Sequence, residues 1–152
     1  MKAIKKSVLL TGAGGFVGRV LSQQLLLAGY TVTGTTHASQ VIEDDENLLL
    51  DIRDIVAVNQ LIQQIQPSYV VHLAAISHVP TSFTDPIGTW QTNVMGTMNV
   101  LAAIAEHSPE TFVLFISSSE VYGEAFKSGS LLSEHSHCLP MNPYAASKLA
   151  GE

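Results

Sequence analysis

A tyrosine and a lysine stand four residues apart in the stretch PYAASKLAGE, residues 143–152, as Tyr144 and Lys148. Residues four apart lie on the same face of a helix, about one turn from each other, so a helix here would bring the two side chains together. A nearby ammonium group favours the ionised form of a phenol. The spacing therefore predicts a tyrosine that can donate and accept a proton during catalysis.

Hydroxyl and carboxyl groups occur upstream of this pair, where the apolar run TFVLFIS at 111–117 leads into SSSEVYG. If that run is a strand of a parallel sheet, Ser117, Ser118, Ser119 and Glu120 lie at its carboxyl end, the edge where open α/β sheets bind ligands. A hydroxyl there could hydrogen-bond a substrate oxygen near the tyrosine. Glu120 could serve as a second base.

A glycine-rich stretch, TGAGGFVG at 11–18, carries glycines at every third position: Gly12, Gly15 and Gly18. In a strand-to-helix turn the first glycine permits the tight bend, the second lets a pyrophosphate approach the backbone, and the third lets the helix pack closely on the strand. The start of the helix then offers free N–H groups to the phosphates. The pattern predicts a dinucleotide site, with an ordinary strand-to-helix turn as the alternative.

The second apolar run ends in TVTGTTHAS and has no carboxylate at the position that would hold the 2′-hydroxyl of NAD. This favours NADP as the cofactor and leaves NAD possible. His37 is the only nearby residue that could carry a positive charge toward a 2′-phosphate. It could equally be a solvated loop residue.

Short apolar runs alternate with segments of helical spacing along the whole chain. Strands are expected at 7–11, 31–35, 47–51, 69–74 and 111–117, and helices after residue 15, at 54–66 and at about 89–107. The first helix has an apolar face made of Val17, Leu21, Leu25 and Ala28. Strand–helix–strand units of this kind predict a doubly wound α/β fold with a parallel sheet, the Rossmann fold, in one domain.

Composition limits the possible partners. A formal net charge of −6 over 152 residues argues against nucleic acid or an anionic membrane as the main partner. Cys138 is the only cysteine, which favours a reducing compartment, and the amino terminus resembles neither a signal peptide nor a membrane span, so we expect a cytoplasmic protein. The HSHC stretch at 135–138 is too tightly spaced for a metal site, and we expect none.

Taken together, these motifs resemble the amino-terminal part of extended short-chain dehydrogenases/reductases of the NAD-dependent epimerase/dehydratase family, which modify nucleotide-diphosphate sugars. The matching stretches follow the family's order: TGAGGFVG, LDIRD, HLAA, NVMGTMNVL, SSSEVYG and NPYAASK. Within the family, the chain is most similar to GDP-mannose 4,6-dehydratases and GDP-4-keto-6-deoxymannose reductases. A GDP-linked sugar is the implied substrate.

The resemblance also assigns roles. It implies that Ser118, Tyr144 and Lys148 are catalytic, that Glu120 removes a sugar proton, and that Asn93 steadies the active-site helix. His78 and Ser119 would contact the sugar substrate. The implied cofactor-binding residues are Gly12, Gly15, Phe16, Gly18, His37, Asp51, Ile52, Ala74, Ala75, Tyr144 and Lys148.

Several activities stay open at this stage. Glu120 favours 4,6-dehydration, but related reductases and decarboxylases also carry a glutamate there, and an epimerase is a further alternative. A dinucleotide-sensing regulator without turnover is the alternative from another class. Related enzymes continue past the lysine into a sugar-binding region, so we expect a truncated Rossmann domain with little turnover alone, and a homodimer in the complete enzyme through residues 90–105.

Overall fold

A computed structural model of the chain describes residues 6–37 and 47–152. The chain divides into two compact units, residues 1–74 with 96–116 and residues 75–95 with 117–152. The sequence predicts one dinucleotide-binding domain over residues 1–152, and that assignment stays a prediction. No helix among the described residues is long and apolar enough to cross a membrane.

The first unit is built on a five-stranded sheet of parallel strands. The strands are β1 Ser7–Thr11, β2 Thr31–Thr36, β3 Leu48–Leu49, β4 Tyr69–His72 and β5 Phe112–Phe115, in the order β3-β2-β1-β4-β5. The order changes direction at β1, because the chain runs outward to β2 and β3 on one side and to β4 and β5 on the other. This confirms the predicted doubly wound fold, whose ligand sites lie at such a switch point.

Within residues 6–37 and 47–152, six α-helices accompany the strands. They are α1 Phe16–Leu27, α2 Ile55–Ile65, α3 Val79–Thr84, α4 Pro86–Trp90, α5 Thr97–His107 and α6 Pro143–Leu149. Helices α1, α2 and α5 belong to the first unit, and α3, α4 and α6 belong to the second. A 3₁₀ segment at Ser119–Ser128, interrupted at Gly123, precedes an irregular stretch that leads into α6.

The core of the first unit lies between the sheet and the pair α2 and α5. Its members are apolar residues from three strands or strand ends and from both helices: Leu9, Leu50, Ile52, Val58, Ile62, Val70, Val100, Ala103 and Ile104. Helix α2 begins where predicted, because the Asp54 side chain accepts hydrogen bonds from the N–H groups of Val56 and Ala57. It ends before Pro67, as proline cannot continue a helix.

Helix α1 buries little of its predicted apolar face. Its bounds agree with the pattern, but Val17 is 57% exposed and Gly18 is its only buried residue. The helix makes its closest approach to the turn through backbone, since a Cβ on Gly18 would lie 2.6 Å from the Ala13 Cα. The predicted apolar face is therefore only partly covered: Leu21 and Leu25 are half-buried, whereas Val17 and Ala28 are exposed.

Other boundaries also differ, among them those of the strands predicted at 69–74 and 111–117, which are observed at Tyr69–His72 and Phe112–Phe115. The strand predicted at 47–51 is confined to Leu48 and Leu49, and in the part of the chain that the structure describes it lies at the edge of the sheet and pairs with β2 alone. The single helix predicted at 89–107 is instead α4, a π-helical turn at Gln91–Gly96, and α5. Met98 of α5 is 56% exposed. The homodimer predicted through residues 90–105 stays a prediction.

Candidate functional site

The glycine turn after β1 has a backbone that only glycines allow. Gly12 has a φ of +72°, a left-handed conformation that side chains rarely adopt, and a Cβ there would lie 2.9 Å from the Ala74 backbone nitrogen. A Cβ on Gly18 would lie 2.3 Å from the Gly12 carbonyl oxygen. The turn, the end of β4 and the start of α1 are therefore in close backbone contact.

The amino-terminal end of α1 adds positive potential to this turn. Gly15 precedes the helix in an extended conformation and provides no side-chain cap, so the first N–H groups of the helix are not satisfied by a capping side chain. The Phe16 side chain is 92% exposed. Arg19, one turn into the helix, donates from Nε to the Gly14 carbonyl oxygen at 2.8 Å and thereby holds a cation at the turn.

A small charged cluster lies at the ends of β2 and β3, in the region assigned to adenosine. Arg53 donates to both carboxylate oxygens of Asp51, with Nη2 and Oδ2 2.6 Å apart, and the His37 Nε2 lies 3.8 Å from the same carboxylate. The hydrogen bonds from Arg53 are the main reason that the pKa of Asp51 is lowered; desolvation opposes them and His37 adds to them. Ile52, beside them, is buried.

One side chain at the end of β2 is buried without a partner. Among the residues that the structure describes, the Thr36 hydroxyl is the one buried side-chain oxygen with no hydrogen bond, and Thr36 is only 2% exposed. An unsatisfied buried hydroxyl is costly. Three features of the first unit fit a bound dinucleotide. They are the glycine turn, the start of α1 without a side-chain cap, and the Thr36 hydroxyl without a hydrogen bond at the end of β2.

In the second unit, α6 carries the tyrosine and the lysine that the sequence singles out. Pro143 occupies the first turn, where its missing N–H costs nothing. Tyr144 is 8% exposed and Lys148 is 5% exposed, one turn apart on the buried side of the helix. Burial lowers the pKa of the Lys148 ammonium group, because the charged form loses solvation.

Asn142 joins the helix to the carboxylate predicted to act as a base. Its Oδ1 accepts the N–H of Ala145 at 2.7 Å and caps α6, while its Nδ2 donates to Glu120 Oε2 at 3.0 Å. The Ser118 hydroxyl accepts the backbone N–H of Glu120 at 3.2 Å. Glu120 is thus tied to Ser118 through its backbone and to α6 through its side chain.

Asn93, in the π-helical turn, supports α6 from beneath. Its side chain is 2% exposed, accepts the N–H of Ile76 at 2.8 Å and donates to the Ile76 carbonyl oxygen at 3.0 Å. It also donates to Ser147 Oγ at 2.9 Å, and Ser147 donates to the Tyr144 carbonyl oxygen at 2.7 Å. These bonds fix the helix that carries Tyr144.

The remaining predicted site residues are more exposed and make fewer contacts. His78 is exposed before α3, and its Nδ1 lies 2.9 Å from the Thr81 hydroxyl. Ser119 is exposed at the start of the 3₁₀ segment, and Ala75 is half-buried. The first unit therefore contains the glycine turn with His37, Asp51, Ile52 and Ala74, and the second contains Ala75, His78, Ser118, Ser119, Glu120, Tyr144 and Lys148.

Three residues of the candidate site were not predicted from the sequence. Arg19 follows the glycines by one residue, which could have marked it as a cation for the turn. Asn142 directly precedes the proline of α6, and an asparagine before proline at a helix start is a recognisable cap. Nothing in the sequence indicated that the Thr36 hydroxyl would be left without a partner.

Replacing Lys148 with methionine should stabilise the protein at neutral pH by about 1 kcal/mol, because it removes a charge held out of water. The folded-state pKa lies below the ordinary value of 10.5, so the unfolded chain binds more protons between these two values. Wild-type stability should therefore rise with pH across that window, and the advantage of Lys148→Met should shrink. Chemical denaturation at neutral pH and near the ordinary lysine pKa measures this. An advantage that is constant over that range would contradict it.

Replacing Asn142 with alanine should lower the free energy of unfolding by about 1 kcal/mol, because α6 loses its cap. Asn142→Ser keeps a capping oxygen without the amide donor and should recover most of the loss. Asp54→Ala removes the cap of α2 and serves as a control of similar size in the first unit. If thermal melts show Asn142→Ala to be as stable as wild type, the cap has been misassigned.

Comparison with known proteins agrees with this geometry. The family model for NAD-dependent epimerases and dehydratases matches residues 8–152, nearly the whole chain. The chain belongs to the NAD-dependent epimerase/dehydratase family. The predicted resemblance is thereby confirmed.

Curated members of the epimerase/dehydratase family act on differently linked sugars. The chain is 34% identical over 148 residues to GDP-6-deoxy-D-mannose reductase of Pseudomonas aeruginosa, covering 95% of this chain and 44% of that protein. It is 34% identical over 164 residues to a probable dTDP-glucose 4,6-dehydratase of Sinorhizobium fredii, covering 95% and 47%. The chain thus spans about half the length of the curated relatives it matches.

Solved structures that are similar to this chain show the same fold with either dinucleotide bound. UDP-glucose 4-epimerase of Thermus thermophilus, in complex with NAD, matches with a TM-score of 0.83 and 30% identity over 95% of this chain and 48% of that one. dTDP-4-dehydrorhamnose reductase of Bacillus anthracis, in complex with NADP, matches with a TM-score of 0.80 and 28% identity over 99% and 49%. A nicotinamide dinucleotide is the cofactor of this kind of enzyme.

Proposed function

We propose that the protein modifies a nucleotide-diphosphate sugar by hydride transfer with NADP(H), and that the reaction is 4,6-dehydration of GDP-mannose. The observation that carries the proposal is the group on and around α6, where a buried Tyr144 and Lys148 share one helix and Asn142 connects that helix to Glu120. The first unit contributes the dinucleotide site at the glycine turn. A bound nicotinamide dinucleotide supplies the hydride acceptor and donor.

Tyr144 is the proton acceptor for the C4 hydroxyl of the sugar in this proposal. Lys148 lies one turn away on the same buried side of α6 and is the proposed partner of the tyrosine. Ser118 is suited to donate a hydrogen bond to the same oxygen, because its backbone position is fixed at the start of the 3₁₀ segment. Together they would hold and move one proton at the C4 oxygen.

Glu120 is the residue that favours dehydration within the proposal. A ketone at C4 makes the neighbouring C5 proton acidic, so the Glu120 carboxylate can remove it as the C6–O bond breaks, and this proton passes to the departing hydroxide, which leaves as water. The hydride taken from C4 returns to C6, and a proton equivalent to the one lost from the C4 hydroxyl is added at C5. The hydrogen bond from Asn142 orients the Glu120 carboxylate. An epimerase would not require this base.

NADP is the proposed dinucleotide, with His37 and the end of β2 in contact with its 2′-phosphate. β2 offers hydroxyls rather than a carboxylate at its end, and the nearest described carboxylate, Asp51, is engaged by Arg53. Among the described residues, the end of β2 therefore provides no carboxylate for an NAD-type contact with the ribose. NAD remains the alternative, as relatives with either dinucleotide have the same fold.

A second candidate is reduction of a GDP-linked 4-keto sugar, favoured by the 34% identity to GDP-6-deoxy-D-mannose reductase. In that reaction Tyr144 would donate a proton to the C4 oxygen, and Glu120 would have no proton to remove. The two activities therefore share the tyrosine and differ in their need for the carboxylate.

Product analysis distinguishes these activities. The protein, and a chimera that joins residues 1–152 to the carboxyl-terminal half of the P. aeruginosa reductase, are incubated with GDP-mannose, dTDP-glucose or a GDP-linked 4-keto sugar and each dinucleotide. Loss of water from the sugar without net change in the dinucleotide identifies dehydration, whereas NADPH consumption with a 4-keto sugar identifies reduction. Dinucleotide binding without any sugar product from either protein would contradict both and favour a sensing role.

A further inference from the structure

A buried histidine at the end of β4 connects two threonine hydroxyls. His72 is 2% exposed, its Nδ1 lies 2.7 Å from the Thr11 Oγ1, and its Nε2 lies 3.0 Å from the Thr97 Oγ1. Thr11 ends β1 and Thr97 begins α5, so the imidazole joins two strand ends and a helix of the first unit. Its ring stacks on Phe115 of β5, with centroids 6.1 Å apart and 26° between planes.

The same network reaches the glycine turn. Thr11 immediately precedes Gly12, and its hydroxyl also accepts the backbone N–H of Ala74 at 3.2 Å. The Ala74 nitrogen is the atom that a Cβ on Gly12 would meet at 2.9 Å. The hydroxyl of Thr11 thus holds together the two backbone segments whose close approach forms the turn.

The hydrogen bonds can be given a direction. The Thr11 hydroxyl has one proton and two lone pairs, and one lone pair accepts the Ala74 N–H. Among the contacts of this hydroxyl in the described residues, His72 Nδ1 is the one atom that can accept its proton. Nδ1 then acts as an acceptor, so a neutral ring has its proton on Nε2 and donates it to Thr97 Oγ1. Every contact is satisfied when the bonds run from Ala74 to Thr11 to His72 to Thr97.

We propose that Thr97, His72 and Thr11 form a hydrogen-bond relay that positions the Ala74 N–H and the glycine turn for dinucleotide binding, with His72 as the positioning residue. The inference rests on the proposed dinucleotide site and adds to it. It makes α5, which contributes no residue to the proposed cofactor contacts, a determinant of cofactor affinity. Buried networks of this kind specify geometry when all their members are satisfied.

The simplest alternative is that His72 only fills space in the core. Thr97→Val separates the two possibilities, because valine keeps the shape of threonine and removes the hydroxyl, and it changes the far end of the relay without touching the turn. Thr97→Ser restores the hydroxyl. Thr89→Val is the matched control in the second unit, where a fully buried threonine donates to the Asp85 carbonyl oxygen at 2.8 Å.

The first measurement needs no ligand. In ¹⁵N-labelled protein, the relay predicts a neutral His72 with its proton on Nε2, and a shift of the Ala74 amide resonance in Thr97→Val that is reversed in Thr97→Ser. Thr89→Val should leave that resonance in place. An unmoved Ala74 amide in Thr97→Val would overturn the relay.

The second measurement is a titration of the same variants with NADPH. A lost hydrogen bond corresponds to about a threefold to tenfold change in affinity, so Thr97→Val should bind NADPH about threefold to tenfold more weakly, Thr97→Ser like wild type, and Thr89→Val like wild type despite lower stability. Equal affinity in Thr97→Val and wild type would overturn the positioning role. If wild type binds no dinucleotide, the proposed function fails separately, and the Ala74 resonance alone decides the relay.

Discussion

Replacing Gly18 with alanine should unfold the glycine turn region and abolish dinucleotide binding. The added Cβ would lie 2.3 Å from the Gly12 carbonyl oxygen and 2.6 Å from the Ala13 Cα, both backbone atoms that cannot rotate away. Alanine is better than glycine inside a helix by about 1 kcal/mol. Forced overlap in a packed site costs about 1–3 kcal/mol and more against backbone, so we expect a net loss of about 2 kcal/mol.

Gly29→Ala is the matched control for that prediction. Gly29 follows α1 with a φ of +87°, and a Cβ there would have no atom within 4 Å. This change should cost about 1–2 kcal/mol of strain and leave dinucleotide affinity unchanged. Urea unfolding with an NADPH titration of both variants measures the difference. Dinucleotide binding by Gly18→Ala at wild-type affinity would contradict the prediction, because α1 could then move away from the turn without loss of the site.

Replacing Tyr144 with phenylalanine should lower turnover of the nucleotide sugar by about 10²–10⁴-fold, the usual contribution of a positioned proton donor and acceptor. The helix should remain, because the ring still fills its buried site and Asn142 still caps α6. Because the resemblance also places Tyr144 at the cofactor, dinucleotide affinity should fall, but by far less than turnover. The effect would appear in kcat, since the lost hydroxyl acts in the chemical step.

Tyr122→Phe provides the control for that loss. Tyr122 lies in the same unit, is half-buried, and contacts Phe126 edge-on with ring centroids 6.4 Å apart. Removing its hydroxyl should not change turnover. Initial rates of both variants are measured in the protein itself or in the chimera, whichever turns over the nucleotide sugar. Equal losses of turnover in Tyr144→Phe and Tyr122→Phe would contradict a catalytic role for Tyr144.

The parts of the fold that follow from local chemistry could be predicted from sequence. The cap at Asp54, the stop before Pro67 and the glycine turn each depend on residues within a few positions, and the structure has α2 and the turn where these signals put them. The parallel sheet followed from the alternation of strands and helices, because parallel strands need crossover helices.

Features that depend on distant residues could not be predicted. The helical period over residues 89–107 does not reveal the π-helical turn at Gln91–Gly96, where Asn93 bonds to Ser147, 54 positions away. Exposure of Val17 follows from the close backbone packing of Gly18, which a helical wheel does not register. The partners of His72 lie 61 and 25 positions away, so its network requires the strand order.

Within the candidate site, residue types could be predicted and their connections could not. The tyrosine–lysine spacing predicted that the two side chains share one face of a helix, and both are buried on α6. The sequence did not predict that Asn142 would contact Glu120 while capping that helix. Side-chain hydrogen bonds of this kind depend on the path of the irregular residues 129–142.

The central claim, that the glycine turn binds a nicotinamide dinucleotide, is tested most directly by fluorescence titration of wild type and Gly15→Asp with NADPH and NADH. A Cβ on Gly15 would meet only the Gly12 carbonyl oxygen, at 3.2 Å, so Gly15→Asp should fold while its carboxylate repels the pyrophosphate. Gly15→Ala controls for the added carbon. We predict saturable binding by wild type, tighter with NADPH, and none by Gly15→Asp. Failure of folded wild type to bind either dinucleotide, or unchanged binding by Gly15→Asp, would contradict the claim.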